Sequence, residues 1–234
     1  MAESIFLQIS GVSKKFGHNQ VLRSIDLSVR SGEIYALIGP NGSGKTTLIN
    51  NIVGLLKPDN GKVLICGVDI DKEPEKAKAM FGFIPDNPTN YLNLTGIEFI
   101  RMTARLRMIP KNQADKKISE LIRIFPIHDI LQNRMETYSR GNMQKTAYLA
   151  ALIGDPKLLI IDEPIVGLDP VSIKIFGDTL RHFVKKGNTV FLSTHTLPFA
   201  EKYADRIGII HQGSLVYEST NLNNLENTYI KHTQ

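Results

Sequence analysis

The 234-residue sequence predicts an α/β fold with a mostly parallel sheet core, an antiparallel β subdomain and an inserted helical subdomain. Three patterns carry that prediction. Apolar runs at 34–38, 158–161 and 189–192 have the length of strands buried on both faces, and helical stretches alternate with them, as in a sheet covered on two sides. Ahead of them, 5–9 and 21–29 alternate apolar with polar residues around the turn Gly17-His18-Asn19, which reads as an antiparallel β start. Between 95 and 125 the β frame gives way to two amphipathic helical stretches.

In chain order, the run Ile34-Tyr35-Ala36-Leu37-Ile38 is a strand, and 46–53 is a helix closed by Gly54. Lys57-Pro58-Asp59-Asn60-Gly61 is a turn, followed by a strand at 62–66, a polar helix at 74–80 and a strand at 81–84 that Pro85-Asp86-Asn87-Pro88 ends. In the helical insertion, 95–107 carries Ile97, Ile100, Ala104 and Leu106, and 113–125 carries Ile118, Leu121, Ile122 and Phe125. Pro110 and Pro126 mark helix ends, and no heptad persists long enough for a coiled coil. Ser139 is a natural N-cap for a helix at 142–153. The β frame resumes at 158–161, continues through a helix at 171–185 and a strand at 189–192 into Ser193-Thr194-His195, then a helix at 197–203. Strands at 207–210 and 214–218 pair across His211-Gln212-Gly213, and the polar tail after Thr220 is a short helix or frayed, with no function assigned.

Composition sets bounds. The 42% hydrophobic and 22% charged residues are those of an ordinary globular protein. A net charge of +5 fits an acidic partner, whether a phosphorylated ligand, a nucleic acid or an anionic membrane surface. The single cysteine, Cys66, excludes an intrachain disulfide, argues for a reducing compartment and is expected to pack at the end of its strand. Glu3 and the lack of a basic region before an apolar core predict no secretory signal, and no apolar run approaches the ~20 residues that span a bilayer. A cytosolic chain follows, with any membrane role supplied by a partner.

The stretch Gly39-Pro40-Asn41-Gly42-Ser43-Gly44-Lys45-Thr46 fits G-x-x-x-x-G-K-[ST] between a strand and a helix, the context in which that loop cradles nucleotide phosphates. Gly39, Asn41, Gly42 and Gly44 let backbone N–H groups turn toward β- and γ-phosphate oxygens, and the helix N-terminus adds free donors. Lys45 supplies a point charge, the Thr46 hydroxyl is placed to ligate Mg²⁺, and Thr47 is positioned for the α-phosphate. Asp162 emerges from four apolar residues at a strand's carboxyl end, expected beside the glycine-loop strand, where an acid holds Mg²⁺. Glu163 is suited to orient or deprotonate the attacking water. Phe16, before the first turn, is either a ring offered to a base or an edge aromatic. Ser139 and the N–H groups after it form an anion site with no phosphate of their own chain to bind, which predicts a phosphate held in trans.

Asp162-Glu163-Pro164, Gly167-Leu168-Asp169-Pro170, His195 and the signature-like stretch Tyr138-Ser139-Arg140-Gly141-Asn142-Met143-Gln144-Lys145 together resemble the ATP-binding cassette (ABC) ATPases, in the form typical of export-type cassettes. The resemblance runs from about residue 5 to residue 218. It implies a P-loop NTPase of ABC type, with residues 1–220 as one domain, the helical insertion at about 89–153 and a tail at 221–234. It implies ATP and Mg²⁺ as ligands, Phe16 stacking on adenine, and Asp86 at the family's glutamine-loop position, facing Mg²⁺ and linked to the membrane partner. Ser139 and Gly141 then close over the γ-phosphate of a second cassette, Asp169 lies in the loop crossing the dimer, and His195 senses the γ-phosphate.

Three residues depart from the family pattern. Asp86 replaces glutamine with a shorter charged side chain, Asn142 replaces the signature glutamine, and Arg140 replaces the first signature glycine, either strengthening phosphate capture or pairing with an acid on the partner. The resulting expectation is an ATP-hydrolysing subunit of an exporter. It pairs with a second ABC subunit and sits on the cytoplasmic face of the membrane through a transmembrane permease. The alternative is a soluble ABC ATPase acting on nucleic acid or ribosomes, against which the absence of a coiled-coil arm and of a second cassette counts. The segment 87–99, with Tyr91, Leu92, Leu94 and Phe99, is the candidate docking patch for the permease.

Overall fold

A computed structural model describes residues 4–88 and 91–233. Glu3 and residues 89–90, where the helical insertion was expected to begin, lie outside the described residues.

The antiparallel start is larger than alternation alone suggested. Strand β1 (Ile5–Phe16) and strand β2 (Asn19–Arg30) pair along their whole length, with breaks in register near Gly11 and Ser24 that blur the period-two pattern. Strand β4 (Asn60–Ile65) adds to β1, and a two-residue strand β5 (Val68–Asp69) follows the turn at Cys66 and Gly67, giving the order β2-β1-β4-β5. Cys66 lies in that turn, half-buried against the neighbouring core.

The second sheet holds the nucleotide motifs. Strand β3 (Ile34–Ile38) leads through the glycine loop to helix α1 (Lys45–Ile52). Helix α2 (Pro74–Met80) precedes strand β6 (Phe81–Ile84). The insertion comprises α3 (Gly96–Leu106), closed at its start by a Thr95–Glu98 capping box, α4 (Lys111–Leu121) and α5 (Arg140–Leu152). Strand β7 (Leu158–Asp162), helix α6 (Pro170–Lys185), strand β8 (Thr189–Thr194), helix α7 (Leu197–Tyr203) and the hairpin β9 (Arg206–His211) and β10 (Ser214–Ser219) follow. The tail forms helix α8 (Leu225–Thr233), with Leu225 buried and His232 stacked on Tyr217.

The sheet order is β10-β9-β3-β8-β7-β6, parallel except for the β9–β10 hairpin. One expectation is overturned. Strand β7, which ends at Asp162, is not beside β3, because β8 pairs with both of them. Local sequence does not encode sheet order, and the crossover through α6 returns the chain between the two strands. Alternate side chains of the central strands feed two cores. Ile34, Ala36 and Ile38 face the helices α3 to α7, whereas Tyr35 and Leu37 face the antiparallel sheet with α1.

Candidate nucleotide site

The glycine loop closes on itself in a way that leaves donors free. Gly44 is the N-cap of α1 at φ 109°, a conformation that L side chains rarely adopt, and it contributes no side-chain cap. The N–H groups of the first helical turn therefore have no partner of their own and face the loop. Gly39 is buried against the Ile210 carbonyl, where a Cβ would come within 2.4 Å, while Asn41 and Gly42 form the exposed rim. Ser43 Oγ is buried inside the loop without a partner. Thr47 sits one residue beyond Thr46, and its carbonyl accepts a bond from Asn51 Nδ2 at 2.6 Å.

Lys45 is almost fully buried. Its ammonium donates to the carbonyls of Gly39 (2.9 Å) and Pro40 (3.2 Å) and lies 3.6 Å from Glu163 Oε1. The other oxygen of Glu163 accepts from the backbone N–H of His195 (3.3 Å) and stands 2.9 Å from His195 Nδ1. An ionised carboxylate only accepts, so the ring proton belongs on Nδ1 in this contact. The three residues expected to act on phosphate, Lys45, Glu163 and His195, are thus brought together. Glu163 is itself held at φ 49°, left-handed for a non-glycine residue, with its N–H bonded to Ser193 Oγ at 3.1 Å.

Asp162 is 2% exposed. Burial raises its carboxyl pKa, hydrogen bonds from Ser193 and Thr46 pull it back, and the nearby Glu163 and Asp86 charges raise it again. Thr46, which follows β3, and Asp162, which ends β7, therefore meet although β8 lies between those two strands. Ser193, on that intervening strand, bridges the gap with a 2.5 Å bond to Asp162 Oδ1. Sequence reading missed Ser193; its only signal is a hydroxyl that directly follows the apolar run Val190-Phe191-Leu192. A hard divalent cation fits this pair, since both donors are oxygens and the carboxylate lacks a full countercharge.

The signature stretch supports its expected cap and corrects one partner. Ser139 Oγ accepts from Asn142 N–H at 3.3 Å, and α5 starts at Arg140, two residues before the expected position. Gly141 packs on the Gly167 carbonyl, which a Cβ would approach to 2.7 Å. The acid that pairs with Arg140 belongs to the same chain: Arg140 Nη2 lies 2.5 Å from Asp86 Oδ1. Gln144, also overlooked in the sequence, is buried and donates to the carbonyls of Pro85 (3.1 Å) and Asp86 (2.7 Å). Asp169 caps α6 through Ser172, whose hydrogen bonds lower its carboxyl pKa to about 2. Phe16, 51% exposed at the end of β1, has Lys14 Nζ 5.9 Å from its ring centroid.

Beside the site, a groove of about 760 Å³ runs between the sheet core and the helical insertion, lined by Leu55, Phe83, Asp86, Tyr91, Phe99 and Leu106. Tyr91 and Phe99 are in ring contact at 5.4 Å. Leu92 and Leu94 do not line the groove; their carbonyls bond Glu136 and Met135.

Comparison with known proteins is decisive for the family. The ABC transporter family model matches residues 22–166. The chain belongs to the ABC transporter family. It is 42% identical over 219 residues to the uncharacterized ABC transporter ATP-binding protein YdbJ of Bacillus subtilis, covering 93% of this chain and 70% of that protein. It is 34% identical over 231 residues to the bacitracin transport ATP-binding protein BcrA of Enterococcus faecalis, covering 97% and 73%. A solved ATP-binding subunit of an ABC transporter superposes with a TM-score of 0.91 at 32% identity, covering 98% of this chain and all of that one. The protein is accordingly an ATP-binding subunit of an ABC transporter and an ATPase. The soluble nucleic-acid or ribosome reading is not favoured.

Proposed function

We propose that this ABC subunit drives export, with Mg²⁺ as its ion and a second ABC subunit completing each nucleotide site. The observation that carries the reading is the clamp of Glu163 between Lys45 and His195, beside the Thr46–Asp162 pair. In this reading the first-turn N–H groups of α1 and Lys45 bind the phosphates, and Thr46 and Asp162 hold the cation. A divalent cation held by Thr46 and Asp162 would neutralise charge on the bound triphosphate. Glu163 orients the attacking water and accepts its proton, and His195 holds the Glu163 carboxylate and responds to the γ-phosphate. Phe16 offers its exposed ring to adenine. Ser139 and Gly141 face the phosphates of the second subunit, and Asp169 lies in the loop that crosses between subunits.

Residues 1–220 act as one ATPase unit, with 221–234 as a tail. Among the described residues no helix is long and apolar enough to cross a membrane, so membrane work needs a transmembrane permease at the cytoplasmic face. The groove lined by Tyr91, Phe99 and Leu106 suits an apolar helix of that partner. A relative named for daunorubicin and doxorubicin resistance, 34% identical over 214 residues, supports the export direction. Affinity purification from detergent-solubilised membranes should return an apolar multi-helix subunit, and phosphate release should require both ATP and Mg²⁺. Recovery of nucleic acid or ribosomal components in its place would refute the transport reading.

A further inference from the structure

Two of the three departures from the family pattern, Asp86 and Arg140, form one ion pair. Asp86 stands at the end of β6, close enough to Asp162 for its charge to raise that pKa, and it lines the same groove as Thr46 and Asp162. Arg140 opens α5, one residue from Ser139 and in contact with Gly167. The pair thus joins the chain's own cation-binding corner to the helix end that faces a second subunit. Gln144, one turn along α5, anchors the same loop through backbone carbonyls, so the loop keeps its place when the ion pair opens. Both partners are about half exposed, at 45% each, which makes the pair weak and exchangeable.

We propose that Arg140 is a positioning residue held in reserve by Asp86. Without nucleotide, Asp86 neutralises the guanidinium. When Mg²⁺ and nucleotide occupy the Thr46–Asp162 corner, the divalent charge outcompetes Arg140 for the Asp86 carboxylate. The freed guanidinium then turns to the phosphates bound by the second subunit, an acceptor of higher charge than a lone carboxylate whose neighbouring oxygens its fork can bind bidentately. Occupancy of one site thereby prepares the chain to close the other. This inference rests on the two-subunit reading above.

The test measures the ATP concentration at which Glu163→Gln chains become half dimeric, by light scattering with Mg²⁺ present. Adding Asp86→Asn releases Arg140 and should lower that concentration by about two- to fivefold, the equivalent of a weak surface pair. Adding Arg140→Gln removes the phosphate contact and should raise it by about tenfold or more, as expected for a hydrogen bond to a charged group. The variant with both changes should behave like Arg140→Gln alone, because Asp86 acts through Arg140. A pair that merely braces the fold predicts shifts in the same direction for both single changes, and that result, or simple additivity in the double variant, overturns the proposal. If Glu163→Gln forms no ATP-dependent dimer at all, the two-subunit reading falls and the proposal with it.

Discussion

Replacing Glu163 with glutamine removes a charge while leaving its surroundings in place, and the structure sets the size of the effect. Lys45 keeps both carbonyl acceptors, at 2.9 and 3.2 Å, so its position does not depend on the 3.6 Å contact with Glu163. A glutamine oxygen still accepts from the backbone N–H of His195 and from Nδ1. What disappears is the basic site for the water's proton, a loss of about 10²- to 10⁴-fold in turnover. At 1.36 kcal/mol per decade this is about 3–5 kcal/mol of transition-state stabilisation. ATP affinity should not fall, because the carboxylate lost is one that repels the γ-phosphate. Steady-state phosphate release at saturating ATP measures the first quantity, and titration with a fluorescent ATP analogue measures the second. A turnover within about threefold of the unmodified chain refutes the assignment, and so does a raised KM with kcat unchanged, the mark of an interaction made equally in ground and transition states.

His195→Ala removes only the far side of the clamp, so phosphate release should slow by about ten- to a hundredfold with nucleotide affinity held, a gentler version of general-base loss. Ser139→Ala deletes the cap of α5 at a cost of about 1 kcal/mol, lowering Tm by about 2–4 °C and weakening ATP-dependent dimerisation of the Glu163→Gln chain. The Asp162 carboxyl has a native pKa raised chiefly by burial, so its favourable contribution is complete below the unfolded value near pH 4 and is lost as pH rises through the native value. Asp162→Asn should therefore raise the Tm of the nucleotide-free chain at neutral pH, not at pH 3, while abolishing Mg²⁺-dependent turnover; thermal melts at the two pH values check the sign. Leu106→Glu, at a site 74% exposed, should leave the phosphate release of the isolated chain unchanged and abolish recovery of the membrane subunit.

Most of the fold was legible because its elements announce themselves locally. Helices α2 and α7 and strand β6 begin and end where proline, glycine and apolar runs say they should. What resisted was non-local. β1 and β2 hide seven and three extra residues respectively behind broken register, since bulges destroy the alternation by which strands are recognised. The seat of β8 between β3 and β7 is a property of the crossover through α6, and no residue in any of the three strands reports it. α4 ends at Leu121 although apolar residues continue to Phe125, because Ile124 and Phe125 reach the insertion's core from a turn and not from a helix face.

The candidate site divides along the same line. Residues whose proposed role is set by their own loop, such as Lys45, Thr46 and Ser139, stand out from spacing, since the chemistry proposed for them needs fixed offsets. Residues whose role comes from a partner distant in sequence were not. Ser193 matters only because β8 brings its hydroxyl to Asp162, 31 residues away. Arg140 and Asp86 are 54 residues apart, and taken singly each looks like a loss, a bulky cation in a glycine position and a short acid in a glutamine position. Together their charges cancel in the nucleotide-free chain, so neither leaves an uncompensated charge next to the phosphate site. An isolated Arg140 would attract any anion, and an isolated Asp86 would oppose the triphosphate that Lys45 must bind. The pairing makes both substitutions tolerable in one molecule, and it ties the helix proposed to face a second subunit to the proposed cation corner at Thr46 and Asp162.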